Sequence, residues 1–592
     1  MLVMVGVASA QTFMDYVSAM KGDTAVIKDY VEMNSTPDAL VNAINRDSLD
    51  NATVPAGRVY QLKKGGYYWL SQTINSPWTR TLRIEGPSLG PLVKLGATDQ
   101  LPIICGFVNG STVFNGGMLL IRNVVSLKNL MALPAAGDGS QGWAFMDFGQ
   151  PNTALKMDNV LMEHNRWIMA ESNNYAGNSL YFTNCYFVNM SGEPCRRNGG
   201  VYDNVSNPTD TISIENCTHV MAQGSMYKFR NFPIAKGFFN HNTFVDCVGS
   251  IFETLGYQVN FTVTNNLFVN SNAQGYQPGE DVGEADGDRL ATGIVNVDTL
   301  PSNITVAPAD RKILVDRNGV YWDSRLDNIV TFLNAHSVIG SDDKVFRFWR
   351  AQNILMNDRT KGLFDDNTNY PKLTEGNWIQ AGDPSFTSPT NLMTTGVDKI
   401  VEFADSAASN SNTFALAKWR TAGNLADAAH PENWIYPDWP VPVDLSYSNT
   451  TYLTGALSGL PVGDLNWFPT QKASWNAASE HAALLTALNN GTVPTSGVAP
   501  IKGVPTSFEV SQNYPNPFNP TTMISFTLPH AGNVSLRVYN VLGQEVATLV
   551  NGFKQAQTYN VEFNASHLAS GVYFYTVTFD NHSVSKKMVL MK

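Results

Sequence analysis

The chain has 592 residues, a formal net charge of -11, 15% charged residues and 11% aromatic residues. That length exceeds one ordinary compact core, so two or three units are expected. The acidic balance argues against a protein that holds nucleic acid by neutralising phosphates, and the composition, rich in Asn, Thr, Ser and Gly, is that of an extracellular β-protein and not of a disordered chain.

Residues 1–10 read as the end of a secretory signal peptide, an apolar run closed by the small-x-small pattern Ala8-Ser-Ala10. The usual basic segment before it is missing, which points to a truncated start and a mature chain beginning near Gln11. From Ser35 to Asn45, a Ser/Thr cap, Pro37 in the first turn, and Leu40, Val41 and Ile44 on one face predict a short helix. Its place before a run of strands is that of a cap over open sheet edges. Tyr67–Ile74, Thr81–Gly86 and Leu119–Leu130 alternate with period two and end in turn residues, as strands do.

Between Leu155 and Asn270 one pattern returns five times, an asparagine set between β-forming residues. The five are Asn159, Asn184, Asn216, Asn242 and Asn266, at intervals of 25, 32, 26 and 24 residues. A period in the twenties with no helical half predicts a parallel β-solenoid whose turns stack about 4.8 Å apart. Stacked in this way, the asparagines form a structural ladder of amides that donate and accept along the axis. Cys185 and Cys217 each follow a ladder asparagine and are expected in one column, at a spacing that permits a disulfide but favours stacked buried thiols. Cys105, Cys195 and Cys247 make the count odd, and none of the five has zinc-site spacing.

The helix, then Tyr68-Trp-Leu70, then Leu82-Arg-Ile-Glu-Gly86, then the Asn-centred turns resemble the right-handed parallel β-helices of the pectate-lyase-like superfamily, over roughly residues 35–300. The resemblance implies an architecture shared by lyases, glycoside hydrolases, adhesins and surface proteins, so it selects no chemistry. The cap and repeat are expected to fill residues 11–308. Residues 309–493 are expected to hold final turns and a decorating lobe punctuated by Trp322, Trp349, Trp419, Trp434, Trp439 and Trp467, which read as packing residues. Ala477–Leu488 reads as a closing helix that ends at Asn-Asn-Gly491. Residues 494–507 are a linker by composition.

Residues 508–592 predict short strands about ten residues apart with Gly, Asn and Pro turns, a small β-sandwich. Tyr514-Pro-Asn-Pro-Phe-Asn-Pro520, Val534–Val546, Leu568-Ala-Ser-Gly-Val-Tyr-Phe-Tyr575 and Lys586–Lys592, in this order, resemble the type A sorting domain of the type IX secretion system. That resemblance implies the secretion machinery as a partner of residues 508–592, and a secreted or outer-surface protein of a Gram-negative bacterium. Nothing in the chain reads as a membrane-spanning helix.

Counting about twelve residues on from each ladder asparagine gives a second column, Glu171, Arg196, Lys228 and, one residue early, Glu253, with Arg197 and Arg230 beside it. Two readings remain open: a self-neutralising ladder of exposed charges, or a groove in which Arg and Lys grip an anionic polysaccharide. A uronate lyase would need a base, for which Arg196, Lys228 and Arg197 are the candidates. It would also need a cation, and Glu280, Asp281, Glu284, Asp286 and Asp288 offer oxygen ligands suited to calcium, the one cofactor indicated. The spacing of those acids does not fit a twelve-residue calcium loop.

A hydrolase would need paired carboxylates at a set separation, for which Asp365-Asp366 and Asp342-Asp343 are poor candidates. The combined Asp-Asp and Gly-His-Gly signatures of polygalacturonase-like hydrolases and the Arg-x-Pro-x-x-Arg of pectate lyases are missing. His164 and His241, on or beside ladder strands, read as structural. The sequence therefore favours an all-β, non-catalytic surface or matrix protein that binds polysaccharide, with a calcium-dependent lyase as the alternative.

Overall fold

The computed structural model describes residues 11–106, 118–133, 144–163, 168–190, 200–272, 293–326, 355–388, 439–494 and 508–591, apart from single residues and short stretches within them, and a few isolated pieces elsewhere. They are mostly β and divide into two compact units. One is Met1–Lys472 with His481–Pro494; the other is Ala473–Glu480 with Thr495–Lys592. The signal-like residues 1–10 lie outside the described residues.

In the first unit the helix spans Ala39–Asp50 and buries Leu40, Val41 and Ile44, the expected face. It begins later than the sequence suggested. Asp38, at φ 69, is the cap residue, and its carboxylate accepts from the backbone of Ser71 (2.7 Å) and Gln72 (3.2 Å) instead of from the helix. The start is set by the neighbouring chain, and Pro37 stays outside.

Among the described residues this unit is carried by a sheet of twenty strands and a sheet of seven. From Ala154 onward the chain repeats one plan. Two strands of the larger sheet, such as Asn178–Thr183 and Tyr186–Met190, Thr209–Glu215 and Thr218–Ala222, or Gln258–Thr264 and Leu267–Val269, are separated by a tight bend. One strand of the smaller sheet lies between successive pairs, as Ile168–Glu171, Gly200–Asp203, Tyr227–Phe229 and Phe252–Thr254. Each strand pairs in parallel with its counterpart one repeat on, and Lys312–Tyr321 and Leu373–Ile379 add two further repeats.

The bend needs one left-handed residue, a conformation that asparagine adopts at the lowest cost after glycine. Asn129, Asn159, Asn184, Asn216, His241, Asn265 and Arg317 fill it, with φ between 51 and 58. The single ladder predicted from Asn159, Asn184, Asn216, Asn242 and Asn266 is therefore two columns. The first three sit in the bend itself. Asn242 and Asn266 stand one residue later, because the 26-residue interval before Asn242 is one longer than the spacing from Asn216 to His241.

The inner column is the amide ladder, and Asn318 extends it. Asn242 Nδ2 donates to Asn266 Oδ1 and Asn266 Nδ2 to Asn318 Oδ1, both at 3.0 Å. The same oxygens accept the backbone N–H of Asn242 (2.9 Å) and Asn266 (3.1 Å), so a buried bend satisfies its polar groups. Cys185 and Cys217 precede this column as free buried thiols, with the Cys185 N–H 3.4 Å from Cys217 Sγ.

The bend asparagines face outward and hold covering chain. Leu457 N donates to Asn265 Oδ1 (2.9 Å), Leu465 N to Asn216 Oδ1 (3.2 Å), and Asn466 Nδ2 to Asn184 Oδ1 (3.2 Å). Leu92 N donates to Asn159 Oδ1 (2.8 Å). Residues 456–472 thus return along the bend as a strap, in part of what the sequence suggested to be a decorating lobe. Lys472 Nζ ends it on Asn184 Oδ1 at 2.7 Å. Burial pushes Asp464, within the strap, up to about 6. Trp467 packs there, 2% exposed, donating to Thr218 Oγ1. The closing helix runs Ala477–Asn490, and Gly491 follows with φ 65.

The interior is stacked in the same way as the bends. His219 lies between Phe187 (4.9 Å) and Phe244 (4.3 Å), and Phe244 stacks on Phe268. Burial pulls this histidine down to about 3, so it is neutral, sharing a hydrogen bond with the Tyr227 hydroxyl.

In the second unit two antiparallel sheets share one apolar core. One holds Glu509–Val510, Thr521–Thr527 and Thr558–Asn564; the other holds Gly532–Asn540, Glu545–Lys554, Gly571–Phe579 and His582–Leu590.

Candidate functional site

The seven-stranded sheet lines up charged residues. On its core side Met146, Ala170, Tyr202, Tyr227 and Phe252 follow one another in register. Side chains alternate along a strand, so the next residue in each strand points away from the core. On the first four strands these residues are Asp147, Glu171, Asp203 and Lys228, consecutive partners in register, and Glu253 is the next partner in that register.

Glu171, Lys228 and Glu253 thus share a column, as the sequence suggested. Arg196 does not stand between Glu171 and Lys228, since Asp203 holds that rung. The 32-residue interval explains the slip. Met190 is still in register with Ala222, and Gly200 is already in register with Ile168, so the extra residues fall within 191–199, which contain Arg196 and Arg197. Those two arginines and Arg230 lie outside the described residues, as do Glu280, Asp281, Glu284, Asp286 and Asp288. The expected pattern of two acids around two cations is replaced by three acids, Lys228 and a fourth acid.

Asp147 and Asp203 were missed. Both repeat at the spacing of the column, since successive members are 24, 32, 25 and 25 residues apart; counting back from the following asparagine finds them, whereas counting forward crosses the insertion. Asp203 and Lys228 are 1% and 3% exposed. Burial raises Asp147 to about 6, and its Oδ1 has no hydrogen-bond partner among the described residues. Neighbouring carboxylates one rung apart repel when both are ionised. Among the described residues no three His, Cys, Asp or Glu side chains are grouped to hold a metal ion.

The acidic pairs weighed for hydrolysis are structural where they are described. Asp365 pairs with Lys361 (3.2 Å), and Asp366 accepts from Asn369; Asp342 and Asp343 lie outside the described residues. His241 occupies the left-handed bend and meets Gly463 O at 3.2 Å, whereas His164 lies outside the described residues.

In the C-terminal unit Phe518 is buried, and Asn513 N donates to the Tyr575 hydroxyl, which itself donates to Ser511 O. The sequence motifs are thereby pinned to the core. Tyr514 (82% exposed) and, on the turn after Asn540, Val541 and Leu542 remain open to solvent.

A family model described as the secretion system C-terminal sorting domain matches residues 512–591. The chain therefore carries a type IX sorting domain, which implies contact with the secretion machinery and a protein that is secreted or displayed at the cell surface. No curated protein and no solved structure matches the chain. Among the described residues no helix is long and apolar enough to cross a membrane.

Proposed function

We propose that residues 11–493 form a right-handed parallel β-helix of the pectate-lyase-like kind, and that the chain is a non-catalytic surface or matrix protein that binds polysaccharide. The in-register stacking of repeats joined to a sorting domain is the observation that carries this reading. A stack of rungs offers a long, regular flank that matches the repeat of a polymer, and export places it among extracellular glycans. The lyase alternative, through Arg196, Arg197 or Lys228 with calcium, gains no observation that favours it.

Affinity electrophoresis of the full chain in polysaccharide gels tests binding, and retardation is expected in at least one polymer. Incubation with uronate polymers and calcium at pH 6 to 10, followed by absorbance of the unsaturated product, is expected to stay flat. A rising signal overturns the non-catalytic reading. Removal of residues 508–592 is expected to abolish delivery to the surface, and surface display without them refutes the role of the tail.

A further inference from the structure

We infer that the polysaccharide is anionic and that it binds on the outside of the early repeats, at a platform formed along the twenty-stranded sheet by Lys156 and Tyr181 and at the corner before that sheet by Trp78 and Arg122. This rests on the polysaccharide-binding reading above and names the site and ligand class. Arg83, Ser126, Lys156 and Tyr181 are consecutive partners in register on strands Leu82–Glu85, Val125–Leu133, Ala154–Glu163 and Asn178–Thr183. The residues that follow them, Ile84, Leu127, Met157 and Phe182, are in the core, so the column faces out. Its three steps cover roughly 14 Å at about 4.8 Å each, room for more than one sugar ring.

Two large rings stand in solvent here, each beside a cation. Tyr181 is 37% exposed with Lys156 Nζ 5.6 Å from its ring centre. Trp78, at the corner that leads into Leu82, is 56% exposed with the Arg122 guanidinium 4.8 Å from its ring. The corner is fixed, because Asn123 Nδ2 donates to Trp78 O at 2.8 Å. A ring next to a cation presents an apolar face to sugar C–H groups and a charge to the acid group of the same sugar.

The local charge opposes that of the whole chain. Arg122 and Lys156 stand at the rings and Arg83 on the same column, against Glu85, while Asp158 is paired with Lys128 at 2.8 Å and Arg80 turns to Tyr60. A basic patch on a chain of net charge -11 draws a polyanion to that patch in preference to the rest of the surface. Later repeats of the same column are closed off. Phe238, two rungs beyond Tyr181, meets the His481 ring at 5.0 Å.

Native affinity electrophoresis of the full chain is run in gels of polygalacturonate, dextran sulfate and plain dextran. Retardation is expected in a charged polymer, weakening as salt rises, with free migration in dextran. The gel that retards more tells carboxylate from sulfate. The double variant Trp78→Ala, Tyr181→Ala is expected to bind about tenfold more weakly or worse, and both rings are exposed enough for the fold to survive, as circular dichroism would verify. Equal retardation in dextran overturns the anionic assignment. Unchanged retardation of the double variant overturns the platform while leaving polysaccharide binding in place. Free migration in every gel overturns the binding reading as well.

Discussion

The bends and the seven-stranded flank are built on one rung spacing and use it in opposite ways. At the bends, polar side chains spend their hydrogen bonds along the axis. Asn242, Asn266 and Asn318 bond to one another and to backbone carbonyls, and Asn265, Asn216 and Asn184 hold the strap. On the flank the column repeats as faithfully, yet consecutive members are Asp147, Glu171 and Asp203, which cannot donate to one another when ionised. Periodicity alone therefore does not say whether the neighbours in a column complement each other.

The largest test of that contrast is Asn266→Ala. It removes four hydrogen bonds in the ladder, a loss of about 4 kcal/mol at roughly 1 kcal/mol each. Chemical unfolding followed by tryptophan fluorescence reads it, and a loss below about 1 kcal/mol would mean that the ladder does not hold the bend.

Next comes the pH dependence of Asp246, a fully buried bend residue raised to about 7 by burial, whose Oδ2 has no partner among the described residues. A carboxyl with a raised native value contributes stability that is present below its unfolded value near 3.8 and is lost as pH rises to about 7. The span of roughly three units corresponds to about 4 kcal/mol at most. Asp147 and Asp464, each raised to about 6, slope the same way. His219 slopes oppositely, since its depressed value makes stability fall as pH drops from 6.5 toward about 3. Asp246→Asn is expected to flatten the decline between pH 4 and 7, as thermal melts across that range would register; an unchanged decline would remove Asp246 as its source.

The smallest effect is expected at Lys228. Lys228→Met removes a buried cation from the rung next to Asp203, at about 2 kcal/mol. Lys228→Arg, which keeps the charge, is expected to lose less in the same unfolding assay. Equal losses for the two variants would show that Lys228 acts by packing and not by charge.

Parts of the molecule were legible because they depend on local chemistry. The repeat period, the helix near Leu40, the helix at Ala477 and the sorting motifs from Tyr514 to Lys592 are each written in a short run of residues. The five asparagines form two columns, not one, because Asn159, Asn184 and Asn216 take the bend whereas Asn242 and Asn266 stand one residue past it, and an asparagine in a bend or just after it looks the same in one dimension. The flank was read with Arg196 in place of Asp203, because an insertion does not announce which side of it keeps the register.

The amino-acid sequence by itself determined that this is a repeating β-protein with an export tail, since alternation, turn residues and motif order are properties of neighbours along the chain. Only the tertiary structure decided which repeated residues share a column and which of them are covered. Asn466 meets Asn184 across 282 residues, and Asp203 follows Glu171 only once the extra residues between Met190 and Gly200 are set aside. Such contacts are fixed by the stacking of whole rungs, a long-range condition that no local pattern encodes.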